Sequence, residues 1–331
     1  MAEKQNKQVA VVREVLEVLR RQRGQWVAVE ALAAGGGGDV RKVQAVMAAL
    51  EGAGYAIESA PRLGYRLVGH GALTSELVEL GLQTQRVGRR VLVYESTAST
   101  NDVAWGYAME SGWDGLAVFA REQTAGRGRL GRRWESPKGM GLLCSVLLQE
   151  ANGLTGSMLS LLAGVAAAEA VEEMAGRRAR IQWPNDVVVE GRKVAGTMVE
   201  GRGVAGGAQY VVGVGINCRQ GREDFPAELC ASATSLAMVS GGAVDMVHVA
   251  QELLRSLDRW QSWARADRVE DMHEAWSARC DDIGRRIAVV QDGRRYEGRV
   301  IDVSAEGGLL VQLDSGGARF FDAATTTVEK G

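Results

Sequence analysis

Arginines alternate with glycines in Gly126-Arg127-Gly128-Arg129-Leu130-Gly131, a composition that favours anion binding. Glycine lets backbone N–H groups approach an anion closely, and each guanidinium adds forked donors that stay charged. The string also fits the G-x-G-x-x-G pattern of dinucleotide sites, but that pattern opens a helix. Here residues 132–137 lead into a predicted strand. A phosphate or carboxylate therefore fits better than a dinucleotide, and a solvated basic loop is the alternative.

Hydroxyl and amide side chains cluster in Ser96-Thr97-Ala98-Ser99-Thr100-Asn101-Asp102, between a predicted strand and a helix predicted over 102–111. Capping of one helix N-terminus needs one such residue. Simple capping is the alternative interpretation, but the surplus indicates a small polar ligand that carries carbonyl and N–H groups.

A hairpin is predicted between Gln182-Trp183-Pro184-Asn185-Asp186 and Gly191-Arg192-Lys193-Val194-Ala195-Gly196. Lys193 enters the second strand, where a lysine is commonly an exposed residue whose stem lies on the surface. Gly196 indicates close approach of the backbone to a ligand instead. Glycines also end the apolar strand Gly213-Val214-Gly215-Ile216-Asn217, where a simple bend is the alternative.

Composition indicates an ordinary globular protein of two or three domains, with 331 residues, 46% of them hydrophobic. The net charge of −2 provides no overall field for nucleic acid or anionic membrane, so any such contact needs a local patch. Residues 1–7 lack the apolar core of a signal peptide, and the apolar stretch 158–171 is shorter than the roughly 20 residues of a membrane span. We expect a cytoplasmic protein with no membrane contact. Four widely spaced cysteines predict reduced thiols and no metal site.

The predicted elements begin with helices over 9–20 and 29–34 and a third that Asp39 caps, followed by strands over 55–59 and 65–68. This order is typical of a winged helix-turn-helix, predicted over residues 1–70. A linker helix is predicted within 71–85. Residues 86–281 then mix hairpin-linked strands with helices, which predicts an α+β domain. Short strands between turns over 282–331 predict a small C-terminal barrel.

Taken together and in this order, these motifs resemble those of the biotin–protein ligases. The strings that carry the resemblance are Ser99-Thr100-Asn101, Gln123 with Ala125 to Arg129, Trp183 to Asp186, Arg192 to Gly196, and Gly213 to Asn217. The resemblance extends over the chain and is to the bifunctional bacterial type, which also represses biotin-synthesis genes. It implies a central mixed-sheet domain like that of class II synthetases and a C-terminal SH3-like barrel.

The resemblance also implies residue roles. Biotin would be held by residues from four segments of the chain: Ser99, Thr100, Asn101, Gln123, Arg127, Gly128, Arg129, Lys193 and Gly196. ATP and the adenylate would be held by Arg127, Arg129, Trp134, Asn185, Gly215 and Asn217. The implied catalytic residues are Lys193, Arg127, Arg129 and Asp186, the last to orient or deprotonate the incoming lysine.

The implied chemistry joins biotin and ATP, with Mg²⁺ accompanying the pyrophosphate, and then biotinylates a lysine of a biotin carboxyl carrier protein. Fixed positive charge offsets the repulsion between the two anionic substrates. No side-chain nucleophile is required, and none is indicated among three histidines. Operator DNA and a second copy of the chain are further implied partners. Arg41, Lys42 and Gln44 on the third helix are the candidate DNA contacts.

Two features depart from the family pattern. Gln182 stands where many relatives have a lysine, which removes one positive charge near the nucleotide. The turn Gly35 to Gly38 is looser than a usual helix-turn-helix turn, and residues 1–70 carry a net charge of only +3, from ten basic and seven acidic side chains. A module that only supports dimerisation is the alternative to operator binding.

Two other functions compete with biotin ligation. A lipoate–protein ligase shares the architecture and the adenylate strategy, although the Gly-Arg-Gly-Arg loop favours biotin. A ligand-sensing regulator without catalysis would bind DNA but would need no phosphate site, so the arginine loop and Lys193 disfavour it.

Overall fold

The computed structural model describes residues 2–35, 39–52, 54–69, 71–149, 153–204, 207–265, 268–304, 308–323 and 325–329. Three regions of the chain share one large hydrophobic core, which runs from the first helix to the C-terminal strands. The predicted mixture of helices and sheets, α+β in class, is confirmed.

The N-terminal region consists of helices α1 (Ala2–Arg21), α2 (Val29–Gly35) and α3 (Val40–Gly52), then the antiparallel strands β1 (Ile57–Ala60) and β2 (Gly64–Leu67). Asp39 accepts a hydrogen bond of 2.9 Å from the N–H of Arg41, as an N-cap residue does. The order of elements matches the predicted one, and the winged helix-turn-helix stays a prediction. Gly36, Gly37 and Gly38 of the predicted turn and His70 lie outside the described residues.

A mixed seven-stranded sheet forms the centre, in the order β3-β4-β5-β9-β8-β7-β6. Only β3 and β4 run parallel; the other neighbours are antiparallel. The strands are β3 (Val91–Tyr94), β4 (Ala117–Ala120), β5 (Gly141–Leu148), β6 (Arg180–Gln182), β7 (Asp186–Val189), β8 (Arg192–Val204) and β9 (Gly207–Asn217).

Helices pack on both faces of this sheet. Helix α6 (Gly156–Ala175) is apolar around most of its circumference because α8 (Met246–Arg265), α9 (Val269–Ser277) and the sheet all pack against it. Leu142 and Cys144 of β5 face this side, in the large core. Leu147 packs on the other face with the short helix α5 (Thr100–Gly106), as the alternation of strand side chains requires. The remaining helices are α4 (Ser75–Glu79) in the linker and α7 (Leu236–Ser240).

A five-stranded antiparallel sheet follows, in the order β13-β12-β11-β10-β14. Its strands are β10 (Arg286–Gln291), β11 (Arg294–Val303), β12 (Leu309–Leu313), β13 (Ala318–Phe321) and β14 (Thr326–Glu329). The two edge strands do not pair with each other within the described residues, so closure into an SH3-like barrel stays a prediction. In the described part of the chain, no helix combines the length and the apolarity needed to cross a bilayer.

Candidate functional site

The floor of the candidate site is the sheet face that α5 shares, at the junction of β5, β9 and β8. Gly196 lies directly opposite Gly215, and Gly213 lies opposite Ser145. Opposed residues of antiparallel strands project on the same side, so the three glycines leave this face bare between larger neighbours. A cleft of about 860 Å³ opens here. The sequence motifs around Gly196 and Gly213 therefore meet because the strands pair in this register.

Trp134 lies flat on the bare strands. A Cβ atom on Gly215 would lie 2.4 Å from its ring, and one on Gly196 would lie 3.1 Å from it. Any side chain at Gly215 would thus displace the indole, since real Cβ atoms do not come so close. The indole N–H is buried and has no hydrogen-bond partner among the described residues. Glycine at these positions lets an aromatic ring pack directly on the backbone.

One end of the cleft is a buried polar cluster at the start of α5. Gln123 Oε1 accepts hydrogen bonds from the Thr100 N–H at 2.7 Å and from the Thr100 hydroxyl at 2.9 Å. The Ser145 hydroxyl lies 2.6 Å from both the Thr100 hydroxyl and Asn101 Oδ1. Asn101 Nδ2 is buried with no partner in the described structure. A donor is therefore available for a ligand.

Helix α5 begins at Thr100, so the predicted start at Asp102 was two residues late. Ser99 occupies the N-cap position but its side chain makes no capping hydrogen bond. Simple capping therefore does not account for these side chains. Backbone hydrogen bonds from Thr124 to Thr97 and from Ala125 to Ala98, both of 2.9 Å, bring Gln123 to the helix start.

The first arginine of the loop lies at the outer rim of the cleft. Arg127 donates two hydrogen bonds to Asp102, of 2.7 and 2.8 Å, and one of 3.3 Å to Glu200. The hydrogen bond from Arg127 lowers the pKa of Asp102. The same bond with Asp102 raises the pKa of Arg127, so its charge is permanent. Neither carboxylate partner of Arg127 could be predicted from the sequence.

The second arginine reaches the C-terminal sheet. Arg129 donates to the Ala323 carbonyl and, at 3.4 Å, to the Thr326 carbonyl; its other nitrogen lies 3.3 Å from Asn185 Oδ1. Burial lowers the pKa of Arg129, because a charge in a partly dry site is less stable. The C-terminal sheet is therefore a wall of the cleft, which the sequence did not predict.

Lys193 and Asp186 lie on adjacent strands and form an ion pair of 2.6 Å. The Lys193 ammonium also lies 5.4 Å from the centre of the Trp134 ring. Asn185 is held by two hydrogen bonds to the backbone of Thr197, one of which is 3.1 Å long. A cation, a carboxylate and an amide thus converge beside the bare glycines.

The cleft collects the predicted ligand-binding side chains from separate segments, with one exception. Its lining includes Ser99, Thr100, Asn101, Gln123, Arg127, Gly128, Arg129, Trp134, Asn185, Asp186, Lys193, Gly196 and Gly215. The exception is Asn217, which does not line the cleft. Asn217 is buried and donates a hydrogen bond of 3.1 Å to the Thr234 carbonyl. Arg41, Lys42 and Gln44 lie exposed on α3, in the N-terminal region.

Two family models match the chain. Residues 93–217 match the biotin/lipoate A/B protein ligase family, and residues 282–327 match the biotin protein ligase C-terminal domain. Both matched regions contribute to the cleft.

Curated relatives match over most of the chain. The bifunctional ligase/repressor BirA of Bacillus subtilis is 31% identical over 273 residues, which are 82% of this chain and 84% of the relative. The biotin–[acetyl-CoA-carboxylase] ligase of Paracoccus denitrificans is 33% identical over 233 residues, 69% of this chain and 96% of the relative. Among solved structures, the Aquifex aeolicus biotin protein ligase in complex with biotin and ATP has a TM-score of 0.64 at 24% identity, covering 73% of this chain and 100% of that one. This last similarity shows the fold.

Proposed function

Because the chain belongs to the family of biotin protein ligases, we propose that its cleft joins biotin and ATP as biotinyl-5′-AMP and transfers the biotinyl group to a lysine of a biotin carboxyl carrier protein. One observation carries the proposal: a buried polar cluster and the three cations Arg127, Arg129 and Lys193 line the same cleft. The polar cluster suits a neutral ring with N–H and carbonyl groups, and the cations suit a carboxylate and a phosphate.

At the polar end, the biotin ring system would replace the missing hydrogen-bond partners. The buried Asn101 Nδ2 donor would meet the ureido carbonyl oxygen, since a buried donor without a partner costs about 1–3 kcal/mol. Ser99, Thr100 and Gln123 surround the same end of the cleft.

In the first step, a carboxylate oxygen of biotin attacks the α-phosphorus of ATP, and the bond from that phosphorus to the β-bridging oxygen breaks. Pyrophosphate leaves with the electron pair. Lys193, whose ammonium has three donors and gives one to Asp186, would lie at the joined carboxylate and phosphate. Arg127 and Arg129 would add charge from the loop, which offsets the repulsion between the reactants. Trp134 and Asn185 would contact the nucleotide.

In the second step, the amine of the acceptor lysine attacks the carbonyl carbon of the adenylate, and AMP leaves. The nitrogen must first lose a proton, which Asp186, the carboxylate paired with Lys193, would accept. Until then the mixed anhydride must stay dry, which we assign to the loop of residues 126–131 together with the C-terminal wall.

Mg²⁺ would enter this cleft with ATP. The described residues contain no group of three or more His, Cys, Asp or Glu side chains placed to hold a metal ion. The ion would therefore take its ligands chiefly from phosphate oxygens and water, as is common for Mg²⁺.

The decisive experiment mixes the pure protein with ATP, Mg²⁺, biotin and a biotin-accepting carrier domain. We expect covalent biotin on the carrier and biotin-dependent exchange of pyrophosphate into ATP. Lipoate, offered separately, should support far less exchange. Equal exchange with lipoate would make the chain a lipoate ligase, and DNA binding without any exchange would make it a sensor.

A second function follows from the N-terminal region and the bifunctional relative. Arg41, Lys42 and Gln44 are exposed on α3, where they could reach base edges or phosphates. We propose that the chain also binds operator DNA in response to biotinyl-5′-AMP, with a second copy of itself on a two-fold site. Loss of adenylate-dependent DNA retention in Arg41→Ala/Lys42→Ala, with ligase activity intact, tests this.

A further inference from the structure

The C-terminal sheet brings a second set of arginines to the cleft, beyond those of the loop. Arg285, Arg286 and Arg295 all line it. Arg286 donates a hydrogen bond of 3.0 Å to Asp314, and Arg295 donates one of 2.6 Å to Glu329. Within the described residues, the guanidinium of Arg285 has no hydrogen-bond or ion-pair partner. Of the three, Arg285 alone keeps its donors available for a ligand.

Arg285 is anchored to the strand segment that forms the nucleotide side of the cleft. The carboxylate of the buried Asp282 accepts a hydrogen bond of 2.7 Å from the Trp183 N–H. The Asp282 carbonyl accepts a hydrogen bond of 2.9 Å from the Arg285 N–H. The neutral Gln182 precedes Trp183 and lines the same cleft. The Arg285 backbone is therefore fixed near a part of the wall where the side chain before Trp183, Gln182, carries no positive charge.

The three cations assigned to the ligase step are already engaged. Lys193 is paired with Asp186, Arg127 with Asp102, and Arg129 with backbone carbonyls. A nucleoside triphosphate brings more negative charge than one engaged lysine and two engaged arginines offset, and most of it resides on the phosphates that leave. An uncommitted guanidinium suits that part, since it binds two oxygens of a phosphate at once.

We propose that Arg285 binds the β- and γ-phosphates of ATP, and then the departing pyrophosphate, from the C-terminal side of the cleft. This assignment rests on the proposed ligase function. When the bond between the α-phosphorus and the bridging oxygen breaks, the electron pair stays on pyrophosphate, and Arg285 stabilises the charge that accumulates there. Arg132 of the loop region lines the same cleft and, among described residues, also has no side-chain partner. It is the second candidate contact.

The test is Arg285→Gln in the full chain, assayed by biotin-dependent ATP–pyrophosphate exchange. We expect KM for ATP and for pyrophosphate to rise about tenfold, the effect of one lost charge-assisted contact of roughly 1.5 kcal/mol, with KM for biotin little changed. Arg285→Lys keeps a charge and should recover most of the loss. Equal KM values for Arg285→Gln and wild type would overturn the proposal.

Two comparisons separate phosphate binding from a structural role. The dissociation constant of preformed biotinyl-5′-AMP, which lacks these phosphates, and transfer from it to the carrier should stay at wild-type values in Arg285→Gln. A weaker adenylate complex would refute a specific role at the β- and γ-phosphates. Arg294→Gln, an equal charge change on the same sheet but outside the cleft, is the matched control. Absence of exchange in the wild-type chain would defeat the ligase function itself, which is a different outcome.

Discussion

At the scale of single residues, the ion pair of Lys193 and Asp186 places in the cleft the charge on which we expect adenylate formation to depend. Lys193→Ala removes the ammonium that lies beside Trp134 and the glycine floor. We expect biotin-dependent pyrophosphate exchange to fall about 10²-fold or more, the scale for loss of one preorganised charge-stabilising donor. Near-normal exchange would remove Lys193 from the mechanism.

Asp186→Asn keeps the shape of the partner but loses its charge. We expect transfer of biotin from preformed adenylate to slow by about 10²-fold, because a general base contributes roughly 10²–10⁴-fold, while binding of the adenylate persists. Single-turnover transfer to the carrier domain measures this directly. A wild-type transfer rate in Asp186→Asn would show that Asp186 is not the base, and the acceptor lysine would then lose its proton to solvent.

Asp102 holds Arg127 at the rim of the cleft when no ligand is bound. In Asp102→Asn the guanidinium loses its bidentate partner, so the loop should open more often. The pair is about half exposed, with 40% and 52% of the side chains accessible, so the effect is small. We expect trypsin to cleave after Arg127 two- to fivefold faster, roughly 0.5–1 kcal/mol in local opening.

Glu95→Gln is the control for that experiment, since it removes another exposed partner of an arginine, Arg121, away from the loop. Its cleavage rate after Arg127 should equal that of the wild type. If Asp102→Asn matches it, Arg127 is not retained by Asp102.

Residue types in the sequence singled out strings that line the cleft, but not the side chains that hold them in place. Ser145 is one hydroxyl in an apolar strand. The pairing of β5 with β9 brings it opposite Gly213, and the packing of α5 on β5 brings it to Asn101. Glu200 reaches Arg127 across 73 positions of sequence. Such partners depend on strand register, which local sequence patterns do not contain.

At the scale of elements, apolar periodicity predicts most helices and strands within a few residues. The strands that it predicts over 141–148, 286–291 and 309–313 coincide with β5, β10 and β12. It missed β6 and β14, which have three and four residues, too few for a period to be recognised. It also missed α7, a single short turn of helix that Ser235 caps. The linker helix α4 lies within the predicted range 71–85 and begins directly after its N-cap residue, Thr74.

Helix α8 offers a test of how one element is held against the linker. Burial alone would raise the pKa of Glu252, but hydrogen bonds and charge from His248 and Arg255 lower it to about 2. Arg255 in turn donates to the carbonyls of Gly81 and Leu82, at 2.9 and 3.0 Å. The carboxylate therefore stabilises the contact between α8 and the linker.

Glu252→Gln should lower the free energy of unfolding at pH 7 by about 2 kcal/mol, less than the full shift implies because the pair is partly hydrated. Because the pKa of Glu252 is lower in the folded protein than in the unfolded chain, its carboxylate stabilises the folded state fully above the unfolded pKa of 4.5. This stabilisation is lost as the pH falls toward 2. The gap between variant and wild type in urea unfolding should thus narrow below about pH 4.5. A gap that is constant from pH 7 to pH 3.5 would exclude this charge as its cause.

At the scale of the whole molecule, the C-terminal sheet completes the cleft that the central sheet begins. Composition and turn spacing predicted that sheet as a separate module, and nothing in its sequence indicated that Arg129 would bind its carbonyls. The contact joins residues 197 positions apart. We infer that the carbonyls hold the loop arginine in place, so the ligase site depends on both regions matched by the family models.

The N-terminal region is likewise joined to the central one, through a buried ion pair. Arg20 of α1 lies 3.1 Å from Asp245, the side chains being 9% and 8% exposed. Arg20 also donates a hydrogen bond of 2.9 Å to the Tyr55 hydroxyl and one of 3.2 Å to the side-chain oxygen of Gln251. Burial raises the pKa of Tyr55 to about 12, against the opposing charge of Arg20. One guanidinium therefore links α1 to α8 and to the segment between α3 and β1.

Removal of that guanidinium should release the N-terminal region without emptying the cleft. Arg20→Ala takes the guanidinium away from the buried Asp245, and breaking a buried ion pair costs about 3–5 kcal/mol. We expect faster amide hydrogen exchange throughout α1, α2 and α3 and an unchanged KM for biotin. Arg13→Ala breaks a pair on the same helix with 39% and 31% exposure, so it should change exchange little. If amide hydrogen exchange is the same in the two variants, apolar contacts rather than Arg20 hold the N-terminal region. The proposed effect of adenylate on DNA binding by α3 would then have to be transmitted by contacts other than those of Arg20.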